Sequence, residues 1–405
     1  MKACGVIVEY NPFHNGHRYH LEQSRQVSEA DCMIAVMSGN FLQRGEPAII
    51  DKWHRAEAAL HSGADLVLEL PCIYAVEHSD YFSKGAVNIL AETGVDSICF
   101  GSEHGSIDDF IEANEIYNAK APAYHDTVRQ YLNRGYSFPE ASRLGYKSIG
   151  LTEGKMDLSM PNNILGYSYV KQILNLSRLV QPLTIQRTSN QFHEETIRGS
   201  IASATSIRKE LLLQSSLTDD ISSAIPSITQ DKLIQYKEKM KMWHSWEDYF
   251  QLLQYKILTL KEADLRAIHG VDEGLEYRIK RTIRRSVSFL DFMERLKTKR
   301  YTWTRLQRTL AHILIGTTKE EARVMLDEPI PPYVRLLGMN HTGQAYLNQI
   351  KKQMRIPLVT QPQHLDHPML DLEEKASIAY YSILNAERRV EALQGEYHAP
   401  LVVQD

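Results

Sequence analysis

The stretch GVIVEYNPFHNGHRYHLEQSRQ, residues 5–26, decides how the rest of the chain is read. An apolar run over 3–8 reads as a strand, Asn11-Pro12 as a turn, and the residues after His14-Asn15-Gly16-His17 as an amphipathic helix over 17–27. Strand, turn and helix in that order place His14 and His17 at the carboxyl end of the first strand, where open α/β sheets bind ligands. A helix starting near Gly16 offers unpaired N–H groups and the positive end of its dipole, and glycine there leaves room for a phosphate. Both histidines face such an anion across the helix start and donate hydrogen bonds to oxygens whose charge grows as phosphorus becomes five-coordinate. The glycines form neither G-x-G-x-x-G nor G-x-x-x-x-G-K-[ST], so dehydrogenase and P-loop readings find poor support.

Further apolar runs over 32–37, 65–70, 97–100 and 183–187 read as strands. Helical patterns over 52–61, 81–91, 107–118 and 161–174 alternate with them. This rhythm predicts an α/β fold, a doubly wound five-stranded parallel sheet. A helix beginning near Ser206 closes the first domain, assigned to residues 1–214, and the Ser-, Asp- and Thr-rich stretch 214–229 reads as a linker. Residues 230–405 form a mostly α-helical second domain, interrupted by Pro329-Ile330-Pro331-Pro332. A short mixed segment over 333–338 and helices over 343–354 and 372–392 complete it.

With 405 residues, 43% hydrophobic and 24% charged, the chain is long enough for two cores and ordinary in composition, which excludes fibrous and disordered classes. Cys4, Cys32, Cys72 and Cys99 form no C-x-x-C pair and are expected to be buried, reduced thiols. No apolar run reaches the roughly 18–20 residues of a membrane span, and the start lacks the features of a signal peptide; the expected location is the cytoplasm. Glu103-His104 is half a metal site without a second cluster, so no metal ligand is assigned. Asp51 and Lys52 read as a solvated helix start. The formal net charge of -4 conceals a basic stretch of Arg278, Lys280, Arg281, Arg284, Arg285, Arg295, Lys297, Lys299, Arg300, Arg305 and Arg308, opposed only by Asp291 and Glu294. One-signed charge of this kind suggests a polyanionic partner.

Near the end of the five-strand pattern, Ser203-Ala204-Thr205-Ser206-Ile207-Arg208 opens a helix with hydroxyl residues that cap backbone or donate to a triphosphate, and Arg208 adds charge. This string resembles the serine-threonine-arginine motif that partners His-x-Gly-His in the nucleotidylyltransferase superfamily. The resemblance narrows with VIVEYNPFHNGHRYHL, MSGNFLQRGEPAIIDKWHRAEAAL, FGSE, PNNILGYSYVKQI and KRYTWTRLQR. Over essentially its whole length the chain resembles the bacterial tRNA(Met) cytidine acetate ligase family.

What that resemblance implies is activation of acetate with ATP to give acetyl-adenylate and pyrophosphate, followed by acetyl transfer to N4 of the wobble cytidine of elongator tRNA(Met). The implied ATP site takes in Ile7, Val8, Glu9, Tyr10, Asn11, Pro12, Phe13, His14, Asn15, Gly16, His17 and His20, with Gly101, Asn162 and Arg187. Ser206 joins it from the second motif, and His14 and His17 are the catalytic candidates. Gly101 would let a nucleotide lie against backbone, Arg187 would neutralise phosphates, and Asn162 would pair with base or ribose. Mg2+ is expected as the counter-ion of ATP.

The basic stretch would hold tRNA phosphates through Arg281, Arg284, Arg285, Lys299, Arg300 and Arg305, with Tyr301 and Trp303 stacking on exposed bases. The sequence suggests no protein partner. Two rivals are an adenylyltransferase for a small phosphorylated cofactor precursor, which has no use for a long basic helical region, and a non-catalytic RNA-binding protein, against which the intact His14, Gly16, His17 and Arg208 argue.

Overall fold

Side chains of β2, Cys32–Ser38, divide between two cores: Ile34 and Val36 pack on one face of the sheet, and Met33, Ala35 and Met37 on the other, with no exposure at any of them. Burial on both faces is what helices covering a parallel sheet produce. The computed structural model describes residues 1–153, 156–187 and 202–404. Its strands are β1 Ala3–Val8, β2, β3 Leu66–Leu70, β4 Ser97–Ser102, β5 Gln181–Gln186, β6 Val334–Met339, β7 Leu358–Val359 and β8 Leu401–Val402.

The sheet order is β5-β4-β1-β2-β3-β6-β7, with β8 also pairing β6. The first five strands run parallel, as the alternating pattern predicts, and the order reverses between β1 and β4. β1 pairs with β2 from Ala3 to Val8, but with β4 only at Cys4 and Gly5. Beyond Gly5 those two strands no longer share a ladder, which leaves a crevice at the switch point of the sheet.

The sheet is larger than the five strands expected. β6 from the carboxyl-terminal half adds antiparallel to β3, and β7 and β8 both pair with it. The run VRLLGM of β6, buried apart from a half-buried Met339, was expected only as a short mixed segment, because the prolines before it obscure its start. The expected linker is also structured: Thr218 caps the helix Asp219–Ala224, and another helix follows at Ser227–Met240. Beyond the boundary placed at 214–230 the chain is helical and then returns to the same sheet through β6, β7 and β8. The final expected helix is two, Pro368–Tyr381 and Ala386–Gly395, because Asn385 caps the second.

All four cysteines are buried free thiols, and burial pushes their pKa values up. No helix among the described residues is long and apolar enough to cross a membrane. Asp51 and Lys52, expected in solvent, are 3% and 1% exposed. Asp51 accepts from the backbone of His54, and Lys52 Nζ sits 2.7 Å from both Glu69 Oε1 and Glu396 Oε2. The acidic partners come from β3 and the carboxyl terminus, a long-range pairing that no local pattern announces.

Candidate active site

After β1 the chain turns sharply. Tyr10 takes a left-handed φ of 49° and the Asn11–Pro12 peptide is cis. Three distant segments hold this turn: Asn11 Oδ1 accepts from the Ile49 N–H at 2.8 Å, the Asn11 carbonyl accepts from Arg208 at 2.8 Å, and the Glu9 carbonyl accepts from the buried Arg55 at 2.6 Å. Glu9 Oε1 accepts from the Gln43 N–H, and burial pushes its carboxyl pKa up. Tyr10 and Phe13 pack ring to ring at 4.6 Å beneath the turn, and Tyr10 reaches His17 at 5.0 Å. Ile7 and Val8 lie within the strand, with Val8 in the core.

His14 is the N-cap of the helix Asn15–Ser28, which starts two residues before the helical pattern over 17–27. The His14 and His17 rings stack at 3.7 Å, inclined by 22°. His17 Nδ1 accepts from the His14 backbone N–H at 3.3 Å, so the neutral ring carries its proton on Nε2 and presents a donor. His14 Nδ1 and His20 Nε2 are buried with no partner among the described residues. Within the helix's first turn, the Gly16 N–H makes no hydrogen bond among the described residues. The sequence thus brings two imidazoles, an open amide and a positive helix end to the crevice between β1 and β4.

Burial lowers the pKa of His14 to about 3, with Arg187 and Arg208 adding to the effect. Burial, then the charge of Arg187, lowers His20 to about 4; burial and the neighbouring His14 and Arg187 hold His17 well below its ordinary value. At neutral pH the imidazoles are therefore uncharged donors, and positive charge comes from arginines. Such an arrangement binds an anion without cationic histidines and strengthens as charge builds on the ligand.

Arg187 follows β5, with its backbone N–H on the Ser102 carbonyl. A Cβ at Gly101 would come within 3.2 Å of Arg187 Cγ and 3.7 Å of His20 Cδ2, so Gly101, Arg187 and His20 line one wall. Asn162 opens the helix Pro161–Leu174, and its side chain donates to Glu103 Oε1 at 2.6 Å; the Asn163 N–H takes Glu103 Oε2 at 2.7 Å. Glu103 thus caps that helix, and Asn162 keeps its carbonyl and one amide N–H for another partner. Ser206 is buried and bonded to Ser203, the N-cap of Ala204–Gln214, so its hydroxyl serves the helix start. Arg208, treated in the sequence as an added charge, bridges the Asn11 carbonyl to Glu46 and braces the His14 loop.

Sequence reasoning missed Arg55, which donates to the carbonyls of Glu9, Ser38 and Gly39 and gathers the ends of β1 and β2. An arginine inside an otherwise apolar helix face is the one signal for it. Also missed was the loop 41–47, closed by a bridge between Phe41 and Pro47. Gly45, at φ +76°, lies so close to Gln307 and Arg308 that a Cβ would come within 2.3 Å of the Arg308 nitrogen. This loop joins the crevice beside His14 to the helical region.

The chain matches the family model described as HIGH Nucleotidyl Transferase over residues 1–395. It is 52% identical over 403 residues to the tRNA(Met) cytidine acetate ligase of Oceanobacillus iheyensis, covering 100% of both chains, and 44% identical to that of Bacillus subtilis, covering 99% of this chain and 97% of the relative. The chain belongs to the tRNA(Met) cytidine acetate ligase family. The crystal structure of the Thermotoga maritima family member TmcAL bound with alpha-thio ATP superposes with a TM-score of 0.90 at 32% identity, covering 100% of each chain. In this family, then, the α/β fold read from residues 5–26 goes with a nucleotidylyltransferase architecture.

The basic stretch divides in two. Arg281, Arg284, Arg285 and Lys299 are exposed, and their side chains make no hydrogen bond or ion pair among the described residues. Arg300 is paired with Glu273, and Arg305 lies 3.9 Å from Asp272. Arg278 donates to the end of the helix Phe289–Leu296, and Lys280 turns inward to the Leu260 carbonyl. Tyr301 does not stack on solvent-borne bases: it is buried, with Arg305 over its ring at 4.9 Å and its hydroxyl on the Asp272 carbonyl. Trp303 is half-buried, and Tyr277, one turn before Arg281, is 58% exposed.

Proposed function

We propose that this chain is an ATP-dependent ligase that activates acetate as acetyl-adenylate and acetylates N4 of the wobble cytidine of elongator tRNA(Met) in the cytoplasm. The observation that carries this reading is the pair of stacked neutral imidazoles at a helix amino end, in the crevice where β1 and β4 part. The alpha-thio ATP named with the Thermotoga structure supports nucleotide use at such a site.

In the first step an acetate oxygen bonds to the α-phosphorus as the bond to the bridging oxygen breaks and pyrophosphate leaves. Here His14, His17 and the Gly16 amide stabilise charge on the non-bridging oxygens, while Arg187 balances the phosphates. Mg2+ arriving with ATP would be held chiefly by the phosphates and would neutralise part of their charge. In the second step the cytidine N4 attacks the acetyl carbonyl, AMP departs, and one proton is lost. The mixed anhydride hydrolyses in water, which requires the base to be drawn into the same crevice. The exposed Arg281, Arg284, Arg285 and Lys299 hold the RNA by its phosphates, assisted by Arg300 and Arg305 once their acidic partners yield.

Mass spectrometry of elongator tRNA(Met) incubated with protein, ATP and acetate tests reaction and partner together. The expected product carries one acetyl group on the anticodon-loop cytidine. Unmodified tRNA, together with ATP–pyrophosphate exchange that needs no acetate, would favour the cofactor-precursor adenylyltransferase.

A further inference from the structure

Away from the nucleotide crevice, three titratable side chains meet where the sheet joins the helical region. Glu77 follows the short helix Cys72–Ala75, His269 follows the helix Glu262–Ala267, and His312 lies within Trp303–Ile315. One potential ligand atom from each lies within 4.8 Å of the others, and Glu77 and His312 are buried. We propose that Glu77, His269 and His312 form a site for a divalent transition-metal ion of the zinc class, with water completing the coordination.

Two imidazoles and one carboxylate are a donor set that zinc accepts, and three protein ligands leave one position open. His312 carries the independent sign of a missing ligand. Its Nε2–H donates to the Val76 carbonyl at 3.3 Å, which fixes the lone pair on Nδ1, and that buried Nδ1 has no partner among the described residues. A backbone carbonyl holding the far N–H is how metal-bound histidines are commonly oriented. Glu77 is half prepared in the same way: Oε2 accepts from the His78 N–H at 3.1 Å, and Oε1 faces His269. The His269 side chain is 25% exposed, which gives an ion a way in.

Without an ion, His269 hydrogen-bonds Glu77 directly. Binding would open that contact and draw the three donors to roughly 3.4 Å from one another, the separation that bonds of about 2.0–2.1 Å at tetrahedral angles require. Arg308 lies close enough to act electrostatically on both Glu77 and His312, and its positive charge opposes a cation. The site is therefore weaker than a closed zinc finger. Its ligands come from both sides of the seam, so an ion there would fasten the helices that bear the basic surface to the segment after β3. No local spacing reveals it: Glu77 and His269 are 192 positions apart, which is why the sequence assigns no metal.

Titration of the dialysed, full-length protein with Co2+ tests the site. The expected result is one equivalent bound, visible absorption of a four-coordinate ion, displacement by Zn2+, and a higher thermal midpoint. His269→Gln and Glu77→Gln should each abolish the absorption and the thermal shift while keeping ATP binding and the native circular dichroism spectrum. Absence of stoichiometric binding to the unaltered chain would overturn the proposal. So would binding undiminished in both variants, the outcome if the imidazoles of the nucleotide crevice were the ligands.

Discussion

The His14 crevice and the Arg281 surface both suit phosphates, yet by opposite physics. In the crevice the imidazoles are uncharged, packed against Tyr10 and Phe13, and aimed by a helix start. On the surface the guanidiniums of Arg281, Arg284 and Arg285 are exposed, and no partner fixes them among the described residues. Preorganised dipoles in a dry site act on charge that develops during reaction, whereas exposed cations act at long range and are screened by salt. On the proposed function, the first region would stabilise a transition state and the second would capture a polyanion.

The largest expected effect follows from the first region. His17→Ala should slow acetate-dependent ATP–pyrophosphate exchange by about 10²–10³-fold, the usual consequence of removing one preorganised donor, with tRNA affinity unchanged. Equal loss of exchange and tRNA binding would mean that the histidine supports the fold rather than the reaction.

The second region should respond in the reverse sense. Combined replacement of Arg281, Arg284 and Arg285 by Glu should weaken tRNA binding by about tenfold or more while leaving exchange intact. The slope of log affinity against log salt should become shallower by about 0.7 for each single-strand phosphate that the variant no longer neutralises. An unaltered slope would remove these arginines from the interface.

A smaller effect concerns pH. His14 and His244 are buried with pKa values lowered by burial to about 3, against an ordinary value of 6.5. The unfolded chain takes up protons at these histidines below about 6.5 and the folded chain does not, so stability is full above that pH and declines as pH falls towards 3. Thermal midpoints should drop between about pH 7 and pH 5. His14→Asn should drop less, and an equal drop would place the pH dependence in other groups.

The smallest prediction separates two tyrosines. Tyr277→Ala should reduce tRNA affinity severalfold, as loss of an exposed stacking surface does, with a slight fall in the thermal midpoint from the lost contacts with Arg266. Tyr301→Phe should lower the thermal midpoint slightly through loss of the hydrogen bond to Asp272, without changing affinity. The opposite assignment would restore Tyr301 as the base-stacking ring.

What the sequence disclosed and what it concealed follow from the range of the interactions. Strand–helix alternation and the His14–His17 string are local patterns, so the five parallel strands, the switch-point crevice and the donors in it could be read directly. The helix Pro161–Leu174 was legible to the residue because proline marks its start. β6 was not, since its partner β3 lies far away in sequence and its antiparallel pairing obeys no nearby repeat. The same reason hid the burial of Lys52 between Glu69 and Glu396 and the service of Arg208 as a brace. Tyr301 misled because an aromatic ring within a basic run resembles a stacking platform, and only tertiary packing shows that it is covered.

The most direct test of the account is a crystal structure of this chain with a non-hydrolysable ATP analogue. It should place the α-phosphate oxygens within about 3.2 Å of nitrogens of His14 and His17, with the Gly16 amide facing the phosphate chain. A nucleotide bound with both rings turned away from its phosphates, or seated elsewhere in the molecule, would contradict it.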